Sequence, residues 1–154
     1  MRAVKRILTV LVLAVATAGC GGTAGRSVEP RDDPGAVMTR VIRLELAGNL
    51  DRSWRMLIRE QRRIVDLGLY RRCVIGPPVA EAKVVILGVA DETFDVAALG
   101  RTKTKAVHWR LTTNEVGVGK VTVSHTGHLI AQDGSWHWTL SSKSLEQLRS
   151  GNCP

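Results

Sequence analysis

The side chains best suited to chemistry crowd into the last third of the chain. His125, His128 and His137 lie there with Trp136 and Trp138. Histidine titrates near neutral pH and serves as a general base or a metal ligand. Asp133-Gly134 is the dipeptide of a two-residue hairpin loop. With that loop, Ala131 lies opposite Trp136 and Leu129 opposite Trp138. Side chains alternate along a strand. Val121, Val123, His125, Gly127 and Leu129 therefore share a face with Trp136, Trp138 and Leu140, and His128 and His137 fall on the other, polar face. His125 thus stands among apolar neighbours. It is the candidate general base of a dry pocket, weighed against the commoner role of a hydrogen-bonded core histidine. His128 and His137 offer two nitrogens where zinc takes three or four ligands. They are expected as exposed strand histidines, and no metal is assigned. Trp54, Trp109, Trp136 and Trp138 are candidate pocket lining, with simple core packing as the alternative. Asp91, Glu92 and Asp95 read as a solvated cluster near a strand end. No Ser-His-Asp order, phosphate loop or paired-carboxylate motif stands out, so no catalytic residue and no cofactor is assigned.

Two kinds of element must position these residues. Asp33-Pro34 reads as the cap and first turn of a helix. Val37, Val41 and Leu44 recur at helical spacing, with Met38 and Ile42 widening the stripe. Gly48-Asn49 ends that helix. Asp51 then reads as the cap of a second helix whose inner face carries Trp54, Leu57, Ile58 and Gln61. Its arginines read as a solvated face. Ile64 to Cys73 predicts a further short helical turn, and Gly76-Pro77-Pro78 closes the helical half. From Val79 the period becomes two. A β run reaches Asp95, Leu99–Thr104 reads as a polar loop, and Val107, Trp109 and Leu111 alternate with polar residues. Asn114 to Gly119 turns, Val121–Ala131 and Trp136–Ser141 make the hairpin, and Ser144–Ser150 a last short helix.

The chain begins with a different pattern. Arg2, Lys5 and Arg6 precede an apolar run from Ile7 to Ala16, which ends in Thr17-Ala18-Gly19-Cys20. Ten helical residues cover about 15 Å, half a bilayer core, which suits a secretory leader and is too short to span. Small residues leading to a cysteine resemble the lipobox of bacterial lipoproteins, although Thr17 stands where that family usually has Leu. The resemblance implies that residues 1–19 are a signal peptide and that Cys20 is diacylated. It also implies a mature chain anchored by lipid at the extracytoplasmic face of the cell membrane. Gly21 to Asp33 lacks apolar periodicity and reads as a tether. The organisation is therefore 1–19 leader, 20–34 lipidated tether and 35–154 a single domain.

Charge and cysteine usage follow from that reading. The chain has 22 Lys+Arg against 14 Asp+Glu, a net +8. Removing residues 1–19 takes away Arg2, Lys5 and Arg6 and no acid, which lowers the net charge to +5. No stripe of basic residues with interleaved aromatics is present, so nucleic acid is not a partner. Cys73 and Cys153 remain as an even pair in an oxidising compartment and are expected to form a disulfide. They lack the C-x-x-C spacing of a redox or zinc site.

Helices followed by long antiparallel strands make an α+β fold. The order resembles the nuclear-transport-factor-2-like, or cystatin-like cone, fold, with N-terminal helices packed on a curved antiparallel sheet. Gly48-Asn49-Leu50-Asp51-Arg52-Ser53-Trp54-Arg55-Met56-Leu57 is similar to the joint between the first helices of that fold. Tyr70-Arg71-Arg72-Cys73 resembles an aromatic-x-x-Cys run of small actinobacterial lipoproteins. Gly134-Ser135-Trp136-His137-Trp138 with Gly151-Asn152-Cys153-Pro154 resembles their ending. These patterns are architectural, and the fold hosts enzymes and binding modules alike. The expected function is a membrane-anchored, non-enzymatic module of the cell envelope that binds an envelope protein or a small apolar ligand. The alternative is a small cone-fold lyase or isomerase using His125 as general base.

Overall fold

The first helix forms where its cap dictates. In a computed structural model, which describes residues 29–74, 81–115, 119–151 and 153, α1 spans Pro34–Leu46. The Asp33 carboxylate accepts the Ala36 N–H at 2.7 Å, and Pro34 occupies the first turn, where a missing N–H costs nothing. Val37, Met38, Val41 and Ile42 are buried along one stripe. Three short helices follow: α2 (Leu50–Arg55), α3 (Arg59–Arg62) and α4 (Leu67–Cys73). Asp66 caps α4 by accepting the Leu69 N–H at 2.8 Å.

The second helix differs from expectation in two ways. Asn49 is its N-cap residue and Asp51 lies inside its first turn. It also breaks before Leu57. The Trp138 N–H donates to Met56 O at 3.0 Å, and the Ile58 N–H donates to Trp138 O at 3.1 Å. A strand edge left bare needs partners for its backbone groups, and this extended step supplies them at the cost of helix continuity.

The sheet contains β1 (Ala82–Val96), β2 (Gly100–Glu115), β3 (Gly119–Gln132) and β4 (Ser135–Thr139), antiparallel in the order β1-β2-β3-β4. The chain closes with α5 (Ser142–Arg149), capped by Ser141. The hairpin register matches the sequence reading: Ala131 pairs with Trp136 and Leu129 with Trp138. Asp133 and Gly134 both take positive φ, 53° and 74°, as a two-residue loop of this kind requires. The expected loop at Leu99–Thr104 is instead mostly strand, with Thr102 opposite Phe94 and Thr104 opposite Glu92. Its threonines are polar but β-branched, and branching suits a pleated surface. The turn is confined to residues 97–99, with Ala98 at φ 74°.

The end of the β1–β2 hairpin curls toward the other end of the sheet. Val96 bridges Ser141, and the Ala97 N–H donates to Leu140 O at 3.3 Å. One core lies between α1 and the sheet around Val41, Val107 and Leu129. A second lies under α4 and α5 around Leu57, Tyr70 and Leu148. Gln61 joins the helical half to the strands with every polar atom used. Its Nε2 donates to Ala97 O, Thr139 Oγ1 and Leu140 O, and its Oε1 accepts the Leu140 N–H at 2.8 Å. Cys73 and Cys153 lie within disulfide-bonding distance, their Cα atoms 4.8 Å apart, so the end of the chain is held to the end of α4.

Candidate functional site

The cavity that gathers the chemistry arises where β4 stops. β4 pairs with residues 128–132 of β3, so among the described residues no strand pairs with residues 125–127 on that side. α1 packs close beside this gap because residue 127 is glycine. A Cβ there would sit 2.8 Å from Met38 Sδ. A cavity of ≈ 330 Å³ remains, and α1 lines it with Met38, Val41, Ile42 and Glu45. Trp109, His125 and Trp138 form its aromatic wall, and Phe94, His128 and Ser144 close other sides. Its volume is within the range of small-ligand sites, and its lining is mixed: an apolar and aromatic side faces Glu45, His125, His128 and the hydroxyls of Thr126, Thr139, Ser141 and Ser144.

Glu45 is the unusual member. The Tyr70 hydroxyl donates to Glu45 Oε1 at 2.5 Å, and Ser53 Oγ lies 3.1 Å from the same hydroxyl. Burial pushes the Glu45 carboxyl above its ordinary range, against the lowering effect of the Tyr70 hydrogen bond. Burial, and then the adjacent Glu45 charge, push the Tyr70 hydroxyl up as well. A second polar group stands out on the aromatic wall. Trp109 Nε1 is a buried donor with no hydrogen-bond partner among the described residues. Buried donors are usually satisfied. The thioether of Met38 lies over Gly127 in the same spot, and methionine is an adaptable, unbranched side chain.

Of the residues singled out in the sequence for chemistry or pocket lining, this cavity unites Trp109, His125, His128 and Trp138. His125 is exposed, not part-buried as expected, and its ring stacks on Trp109 at 4.9 Å. The predicted face is right, but no β4 residue covers that stretch of β3. His128 differs in the opposite sense. It is 7% exposed, lies 3.5 Å face to face with Phe94, and has Nε2 3.3 Å from Glu92 Oε2. The curled hairpin covers it, which strand alternation alone does not reveal. Trp54 and Trp136 do not line the cavity. Trp54 packs in the second core and donates to Val65 O at 2.8 Å. Trp136 is buried in the first core and donates to Asp32 O at 2.9 Å. Trp136 also borders an open cleft where Lys105 bridges Asp91 at 2.9 Å and Glu29 at 3.0 Å. The solvated acidic cluster is thus partly an ion-paired one.

Glu45 and Tyr70 went unassigned in the sequence, yet Glu45 carried a signal. It lies three residues after Ile42 and four after Val41, on the apolar stripe of α1, where an acid is out of place. Tyr70 carried none beyond being the sole tyrosine. The leader, Cys20 and most of the tether lie outside the described residues, as does the Gly76-Pro77-Pro78 break. Among the described residues, no helix is long and apolar enough to cross a membrane, and no cluster of three or more metal-ligating side chains occurs. Comparison with known proteins finds no matching family model and no match among curated sequences or solved structures.

Proposed function

We propose that the chain is a lipid-anchored, extracytoplasmic binding module of cone-like architecture, held to the membrane through Cys20, whose cavity takes a small apolar ligand. The observation that carries the ligand is Trp109 Nε1, buried without a hydrogen-bond partner among the described residues, beside Met38 in an aromatic-walled cavity. A ligand that moves the Met38 thioether and offers an oxygen acceptor supplies the missing hydrogen bond. The lipoprotein leader and the helix-then-strand order, both read from sequence, support the anchor and the cone.

Native mass spectrometry of the protein extracted from its own membrane tests both parts. The expected species carries the lipid mass on Cys20 and one small molecule per chain. Saturable binding of the neutral fluorophore N-phenyl-1-naphthylamine, abolished by Ser144→Phe in a chain of unchanged melting temperature, locates the ligand. A lipidated chain that binds neither molecule would leave the anchor standing and remove the pocket reading. One observation favours a second reading. His125 and Glu45 line the same half-open cavity, so a base and an acid border one space. In that reading the module is a lyase or isomerase, and His125→Gln abolishes its cellular effect without weakening ligand retention.

A further inference from the structure

β1 is an outer strand of the sheet, and from Ala82 to Asp95 no other described strand pairs with its free edge. Val85, Leu87 and Val89 stand 39%, 49% and 42% exposed along it. Such an edge is a template for another strand unless charge, proline or a bulge blunts it. Here the charges sit at the two ends and differ in sign: Lys83 near the start, Asp91, Glu92 and Asp95 near the finish. A second copy laid parallel would set acids against acids. Laid antiparallel, it sets Lys83 against the acids, and opposite charges across a ladder attract.

The bulge fits the antiparallel arrangement too. The register against β2 slips between Ile86 and Gly88, so Leu87 stands outside the ladder and alternation reverses beyond it. Lys83, Val85, Ala90 and Glu92 therefore share one face, and Val84, Ile86, Val89 and Asp91 the other. Take a twofold axis between Leu87 and Gly88. Lys83 then meets Glu92 of the second copy, Val85 meets Ala90 and Ile86 meets Val89, each pair on a matching face. Without the bulge those pairs would point to opposite faces. Asp91 Oδ1 already holds Lys105 and Glu92 Oε2 faces His128, which leaves one oxygen of each carboxylate for a second cation.

We infer that β1 is a self-association strand: two copies of the chain join edge to edge, antiparallel about the Leu87 bulge, into one continuous sheet. The interface is isologous, so it closes as a dimer and does not grow. It is narrow, so association is reversible. Sedimentation equilibrium of the full chain in detergent should show a monomer–dimer equilibrium between about 1 and about 100 μM, the range of a small interface. Leu87→Lys should weaken it at least about tenfold with the melting temperature unchanged, because Leu87 is exposed. Mild oxidation of mixed Val85→Cys and Ala90→Cys chains should give crosslinked dimers that neither variant gives alone. A monomer throughout the range overturns the inference, including one whose β1 amides are protected by its own chain. So does a dimer indifferent to Leu87→Lys, or one crosslinked by either single variant.

Discussion

Gln61 and Glu45 are both polar side chains placed against the apolar side of short helical segments, and they end in opposite situations. Gln61 is fully buried and spends its amide on three acceptors and one donor. Glu45 is half-buried beside a cavity, with the Tyr70 hydroxyl as its one hydrogen-bond partner among the described residues. A saturated buried group fixes geometry, because any other arrangement strands its hydrogen bonds. A carboxyl with one partner and space beside it retains capacity for a ligand. The difference separates a structural clasp from the candidate site. It is read from hydrogen-bond accounting, where residue type alone does not distinguish them.

The largest effect should fall on the clasp side. Replacing Cys73 and Cys153 by serine releases the end of the chain from α4. On the chain-entropy view, a closed loop of this length contributes about 4.5 kcal/mol. Denaturant melts of the double variant should show a loss of that order, with reducing agent affecting only the wild type. Next is Gln61→Leu, which strands the Leu140 N–H and removes the Gln61 donor from the Ala97 carbonyl in the interior. A loss of about 2–4 kcal/mol is expected in chemical denaturation, with little change in binding of N-phenyl-1-naphthylamine at low temperature. If Gln61→Leu spared stability and abolished binding, the two sites would have to exchange roles.

The fold was legible wherever a local rule governs. Asp33-Pro34 started a helix and Asp133-Gly134 set a hairpin register because capping and turn chemistry act within a few residues. The positions of His125 and His128 were not legible. Their alternation along β3 was correct, but exposure depends on where β4 ends and how far the β1–β2 hairpin curls. Both are long-range facts. The break at Leu57 was hidden for the same reason: the need to cover an edge of β4, far along the chain, outweighed helical periodicity. In the candidate site, tryptophans signalled aromatic walls without saying which of them meet. Only Glu45, an acid on an apolar stripe, carried a local sign of its role.

A smaller effect separates the groups around Glu45. Burial holds its carboxyl above the ordinary value of 4.5, so the folded chain binds that proton more tightly than the unfolded one. The group's contribution to stability is therefore greatest below that value. It declines as pH rises through the raised folded value, and is flat beyond it. Glu45→Gln keeps an acceptor for Tyr70 and should remove this decline, leaving the variant more stable than wild type above the window. Tyr70→Phe deletes the hydrogen bond that lowers the Glu45 pKa, so the decline should extend to higher pH. It should also cost about 1–2 kcal/mol for the lost buried hydrogen bond. Thermal melts across the acid range read both slopes, and parallel profiles in all three proteins would rule out Glu45 as the titrating group.

The smallest stability effect belongs to His125, and that is what makes it informative. Its ring is exposed and stacks on Trp109, and no hydrogen bond to it is seen among the described residues. Substitution at an exposed strand position moves stability by about 0.5 kcal/mol or less, plus whatever the stacking contributes. His125→Gln should therefore melt within a degree or two of wild type, a small fraction of the shift expected for Gln61→Leu. The imidazole is nevertheless part of the cavity wall, so ligand affinity should fall a few-fold as stacking area is lost, and His125→Phe should restore it. That rescue is the discriminating result. Phenylalanine supplies a ring and no proton, so recovery by His125→Phe means the residue works as a wall of a binding site. A chain that retains its ligand in both variants, yet behaves in cells like a deletion in both, needs the proton. His125 would then be a base, and the module an enzyme.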